Sequence, residues 1–291
     1  PTIIMSKTLD VKGVSLAEED KIIPPEKKPP QVDPKVLIER LLREVDHGDR
    51  EAAYFLSRIY STGLYVKRDE GLSARYLQLA SRGARGMPEA LHDLAEKYRL
   101  GEGVGKVASK AIDLHEKAAR RGYAPSFYRL GRIYQQGKIA PKDFARAYRR
   151  FTAAADLGYP PALFRVAEAS LAGLGTERDI EKAFNFAMTA ARQHYPPALN
   201  LVGRFYRKGI HIEQDDAIAC DWYEKAMRQG SPEGAYNLGS MYQRGIGREH
   251  NELEARRCFS AASRLLSGAD PKTVFAEESS LVESQTAEPN V

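Results

Sequence analysis

The sequence predicts an all-α fold, a solenoid of about six stacked helical hairpins. Three recurrences predict it. Leu or Val stands in one context at Leu56, Leu94, Leu130, Val166, Val202 and Leu238, spaced 38, 36, 36, 36 and 36 residues apart. Seven residues after each comes a glycine, at Gly63, Gly101, Gly137, Gly173, Gly209 and Gly245. A second register returns every 36 residues as Ala111, Ala147, Ala183, Ala219 and Ala255, and again as Ala118, Ala154, Ala190, Ala226 and Ala262. A fixed period of this length is the signature of a repeat architecture, in which each unit completes its core against its neighbours.

The elements follow in chain order. Residues 1–33 form a leader whose prolines (Pro24, Pro25, Pro29, Pro30) read as an extended, flexible linker. Residues 34–47 are expected to be a helix capping the first hairpin through Leu37, Leu41, Leu42 and Val45. Six hairpins then occupy 48–267. In the last five, a proline (Pro88, Pro125, Pro160, Pro196, Pro232) opens the first helix, where its missing N–H goes unused. A small residue, the Leu/Val and Tyr60, Tyr98, Tyr134, Ser170, Tyr206 or Tyr242 follow at four-residue spacing and share one face.

Directly after each Leu/Val comes Ser57, Ala95, Gly131, Ala167, Gly203 or Gly239, which leaves room for a second helix. The glycine at +7 ends the first helix by taking the left-handed conformation. Asp143, Asp179, Asp215 and Asn251 are expected to cap second helices, Asn251 with Glu254 at capping-box spacing. Those helices are expected to end at Gly86, Gly122, Gly158 and Gly230, with His194 and Leu266 replacing glycine in the other two units. The first unit is two residues longer, and its insertion has no unique place in the pattern. Residues 268–291 are acidic and read as a disordered tail.

These residues resemble the Sel-one-like repeat of the tetratricopeptide-like superfamily. The first helix carries the small-Leu-small-Tyr pattern and the glycine loop, and Trp222, Tyr223, Glu224, Lys225, Ala226 through Gly230 match the second helix most fully. Ser170 in place of Tyr, and the absence of Trp from most second helices, depart from it. The resemblance spans roughly 48–267 and implies a right-handed superhelix. It also implies an adaptor that holds other proteins together, in bacteria within secretion, polysaccharide-export, envelope or host-interaction assemblies. A periplasmic or envelope location is expected over a cytoplasmic one. The chain begins at Pro1 without Met, which is compatible with a trimmed signal peptide or an upstream anchor.

Composition limits the alternatives. With 43% hydrophobic residues and mixed charge the chain is foldable, and no run approaches the roughly 20 apolar residues of a membrane helix. The net +5 hides an asymmetry: residues 1–33 carry −1 and 268–291 carry −4, which leaves +10 on the repeats. A basic nucleic-acid-binding solenoid is one alternative this admits, with affinity that would fall steeply with salt. A cell-wall-binding or hydrolytic protein is another, resting only on what relatives do. Neither is preferred.

No cofactor, metal site or catalytic group is expected. His47, His92, His115, His194, His211 and His250 show no metal-ligand spacing and read as surface or packing residues. The run Gly101–Lys106 fails the phosphate-loop spacing and reads as a turn. Cys220 and Cys258 lie on adjacent second helices, where a bridge is conceivable, but two residues out of register they read as buried or free thiols.

In tetratricopeptide-like superhelices the first helices line the concave face, so the resemblance points to where a partner sits. The expected contact residues are Tyr54, Arg58, Arg99, Tyr128, Arg132, Phe164, Arg204, Arg207 and Tyr236. Tyr and Arg are the types most often found as binding hot spots. The expected partner is a peptide or helix of another protein, acidic enough to meet Arg58, Arg132, Arg204 and Arg207. The competing reading gives the rings to inter-repeat packing and the arginines to solvent.

Overall fold

The computed structural model describes residues 33–83, 86–271 and 273–274. The expected leader (residues 1–32 of it) and most of the expected tail lie outside the described residues. Within them the chain is helical, with no strand. Helix α1 (Pro34–Asp46) precedes six hairpins: α2 (Arg50–Thr62) with α3 (Glu70–Ala80), α4 (Pro88–Leu100) with α5 (Ala108–Arg120), and α6 (Ala124–Gln136) with α7 (Phe144–Asp156). Then come α8 (Pro160–Ala172) with α9 (Ile180–Arg192), α10 (Pro196–Lys208) with α11 (Asp216–Arg228), and α12 (Pro232–Arg244) with α13 (Glu252–Leu266). Each helix packs on the next in sequence, which makes an all-α solenoid.

Both turns of the repeat are fixed by backbone bonds. The N–H of the residue before each second helix donates to the carbonyl four residues past the recurring Leu/Val: Asp69 to Tyr60, Val107 to Tyr98, Asp143 to Tyr134, Asp179 to Ser170, Asp215 to Tyr206 and Asn251 to Tyr242, at 2.9–3.1 Å. Because the acceptor is a carbonyl, Ser170 closes its hairpin as well as a tyrosine does. Between repeats, the N–H of Met87, Tyr123, Tyr159, Tyr195 or Ser231 donates to the carbonyl of Ala80, Ala118, Ala154, Ala190 or Ala226. The six glycines at +7 all hold positive φ and cap their first helices.

The second-helix caps form as expected, with Asp143, Asp179, Asp215 and Asn251 accepting from the N–H three residues on. Asp69 does the same for α3. The capping box at Asn251 is only half built. The Asn251 N–H already donates to Tyr242, and the Glu254 carboxylate pairs with Arg257 at 2.5 Å.

Two helix ends differ from expectation. Helix α3 stops at Ala80, not near Gly86, and Gly83 takes the left-handed turn. The extra residues of the first unit therefore lie in the 81–87 connection, where the other repeats use three residues. Helix α13 runs through Leu266, and Gly268 takes the positive φ. His194 does replace glycine, at φ 58°.

The recurring Leu/Val residues and the alanines of both second-helix registers are buried along the row. Close approach depends on the small residue after the Leu/Val. A Cβ on Gly131 would lie 2.5 Å from the Phe151 ring, and one on Gly203 would lie 2.7 Å from the Tyr223 ring. Cys220 and Cys258 are buried and are not joined in a disulfide. Adding a methyl where the ring cannot retreat overpacks the core. Gly203→Ala should therefore lose about 1–3 kcal/mol of stability in urea unfolding. Gly105→Ala, with nothing within 4 Å, should stay within about 0.5 kcal/mol.

Candidate functional site

Side-chain bonds join several neighbouring first helices along one face. Tyr54 on α2 donates to Asp93 on α4 at 2.9 Å, and Arg129 on α6 pairs with Glu96 on α4 at 2.9 Å. Asn237 on α12 donates to Asn200 on α10 at 2.8 Å, and those two helices touch directly.

Charge alternates along this face. The second position after the Leu/Val is Arg58, Glu96, Arg132, Glu168, Arg204 and Ser240. Both carboxylates are neutralised from other positions. Arg99, Arg129 and His115 converge on Glu96, and Arg165 pairs with Glu168 at 2.7 Å. Among the described residues no carboxylate is ion-paired with Arg58, Arg132 or Arg204; the Arg132 guanidinium instead donates to the Tyr128 hydroxyl at 3.3 Å. Three guanidinium groups without an ion-paired carboxylate therefore stand on alternate repeats, with Asp93 near enough to Arg58 to feel its charge. The residue types at this position were legible in the sequence, but the internal pairing that silences every second one was not.

Two hollows of different character open on this face. One, of about 420 Å³, is lined by Tyr54, Arg58, Ser61, Ser73, Asp93 and Lys97. It is polar, and the buried Ser73 hydroxyl has no hydrogen-bond partner. Lys97 is itself buried and paired with Glu70. The other, of about 640 Å³, lies across α7, α8 and α10. Phe144, Phe151, Phe164 and Leu171 give it apolar walls, and Arg204 stands at its side.

The expected contact residues divide accordingly. Tyr54 and Arg58 line the polar hollow, and Phe164 and Arg204 the apolar one. Tyr128 packs edge-on against Tyr159 at 5.5 Å, and Phe164 lies 5.7 Å from Tyr195, so both also contribute to inter-repeat packing. Arg99 is held by Glu96 through two bonds of 2.7 and 3.0 Å. Arg207 lies beside the buried Tyr223, while Tyr236 is 61% exposed against Phe259. The Gly101–Lys106 run is the α4–α5 connection, and Gly103 rests where a Cβ would strike the Glu70 carbonyl.

A buried polar cluster joins the second and third repeats, and the sequence reading missed it. Its signal was available: His92, His115 and Ser126 occupy positions where Tyr, Phe and Ala are the commonest residues in the other repeats. His115 and Ser126 are fully buried. His115 Nε2 lies 3.0 Å from Glu96, so it carries the proton and donates to the carboxylate. Its Nδ1 then faces the Ser126 hydroxyl at 3.4 Å, which lies 2.9 Å from His92 Nδ1. Burial, reinforced by His115, lowers His92 to about 4. Burial also lowers His115, against the pull of Glu96. Burial would raise Glu96, but bonds from His115 and Arg99 and the charge of Arg129 bring it down to about 2.

Among the described residues no helix is long and apolar enough to cross a membrane, and no group of three or more His, Cys, Asp or Glu could hold a metal ion.

The Sel1 repeat family model matches residues 50–84, 88–123, 126–159, 160–195, 196–231 and 232–265. No curated protein matches the chain by sequence. Among solved structures, it is similar to a protective antigen present in uropathogenic Escherichia coli strains, an SLR fold (27% identity, TM-score 0.72, 78% of this chain and 48% of that one). The chain thus spans about half the length of that antigen. It is also similar to a Sel1 repeat protein from Oxalobacter formigenes (23%, 0.70, 78% and 99%) and to an immunity protein from Pseudomonas aeruginosa (23%, 0.51, 76% and 82%).

The buried histidines make stability depend on acid. In the folded chain both bind protons less readily than in the unfolded one, so stability is full above pH 6.5 and is lost as pH falls toward 4. For His92 the difference amounts to about 3 kcal/mol. Restoring the repeat pattern with His92→Tyr, His115→Phe and Ser126→Ala together should flatten the fall of Tm between pH 6.5 and 4.5. An unchanged slope would place the acid sensitivity elsewhere.

Proposed function

The chain belongs to the Sel1 repeat family, and from that premise we propose that it is an adaptor whose first-helix face binds a segment of another protein. Sel1 repeat proteins generally mediate protein–protein interactions, and the fold is generally non-catalytic. The observation that carries the finer reading is the set of guanidinium groups without an ion-paired carboxylate at Arg58, Arg132 and Arg204, aligned on one face beside two hollows. Arginine held beside aromatic rings is suited to partner carboxylates, because it makes directional paired bonds at low cost in ordering.

The occupant is an acidic peptide or helix lying along the concave side implied by the resemblance. The support for a bacterial envelope, secretion or polysaccharide-export setting is that resemblance. The bacterial origin of the antigen and of the immunity protein, each named as such, agrees with it.

Affinity capture with cross-linking tests the face. Reversing Arg132 and Arg204 to Glu should weaken capture of the wild-type partner by about tenfold or more for each charge, with Tm retained. Arg99→Ala should instead lower stability, since that side chain serves Glu96. Unchanged capture by the double reversal would overturn the groove reading.

A further inference from the structure

We propose that the hollow across α7, α8 and α10 is an anchor pocket for one aromatic or large aliphatic side chain of the partner, with an adjacent carboxylate held by Arg204. The inference rests on the reading that this face binds a protein segment and goes on to say what the segment must carry there.

Size is the first argument. About 640 Å³ admits a large side chain and a few backbone atoms, within the range usual for pockets that orient a ligand. Composition is the second. Phe144, Phe151, Phe164, Leu171 and Leu174 present apolar surface, whereas the hollow beside Arg58 is lined by hydroxyl and charged groups. An apolar anchor therefore gains by entering only one of the two, which also fixes the direction in which the segment lies.

Polar accounting is the third. Arg165 is paired with Glu168, and Asn200 accepts from Asn237, so both are already engaged. Glu233 bonds the Ser231 hydroxyl and sits in the first turn of α12, where the helix favours a negative charge. Arg204 alone among the charged lining residues has no such partner. Among the lining residues, Arg165 Nε is buried without a hydrogen bond, as expected of a site that a polar backbone completes. Glu233, a lining carboxylate with no ion-paired cation, opposes a polyphosphate chain, so a peptide bearing a single carboxylate beside its ring fits better than nucleic acid.

N-acetyl-L-phenylalanine and its amide are minimal probes, followed by chemical-shift changes in isotope-labelled full chain. The acid should perturb residues around Phe164, Leu171 and Arg204 and bind about fivefold more tightly than the amide, the scale of one charge-assisted bond. Arg204→Gln should erase that preference, and Leu171→Arg should block both probes while keeping Tm. Equal binding of acid and amide, or perturbations away from these residues, would overturn the pocket. The failure is separable from that of the groove. Capture of the partner that is lost on Arg132→Glu but indifferent to Leu171→Arg removes the pocket alone, whereas indifference to Arg132→Glu and Arg204→Glu removes the face.

Discussion

The bond from the N–H before each second helix to the carbonyl at the end of the first recurs in all six hairpins. It sets how far the two helices of a unit splay, and everything else is placed relative to it. A second backbone bond, onto the carbonyl of a buried alanine, repeats the constraint between units. Because both use main-chain groups, side chains around them can vary without changing the stride. That freedom lets Ser170 stand for tyrosine and Val107 for a capping aspartate. It also lets the second helix carry a ring wherever the first offers glycine, as Phe151 does over Gly131.

The same rigidity organises the charges. On a helical row with a fixed stride, residues at one position form a line whose members are too regular to choose partners freely. Glu96 and Glu168 are satisfied by arginines from neighbouring positions on the same or the next first helix. The arginines that remain owe their availability to this internal compensation. Charge alone, the +10 of the repeats, did not locate them; the pairing did.

The fold was legible in the sequence because its rules are local and repeated. Proline at the start, glycine at the end and aspartate at the next start are each interpretable without neighbours. What could not be read were departures that depend on three dimensions. The insertion of the first unit went to the 81–87 connection because α3 ends early at Ala80, and helix length is set by packing. The half-built capping box at Asn251 reflects competition for a single N–H. The His92–Ser126–His115–Glu96 cluster was visible as three substitutions against the pattern. Their convergence needed two adjacent repeats in register. Of the candidate contact residues, Arg58, Arg204 and Tyr236 are exposed, while Arg99 is tied into the interior network and Tyr128 and Phe164 also pack between repeats.

The alternation of Arg and Glu gives the solenoid a unit twice the length of its structural repeat. Lengthening or shortening such a chain by one hairpin preserves the fold yet shifts every later guanidinium onto the wrong phase. Growth in pairs keeps the phase. Arginines without an ion pair thus recur like graduations two hairpins apart, and their number changes only in whole graduations.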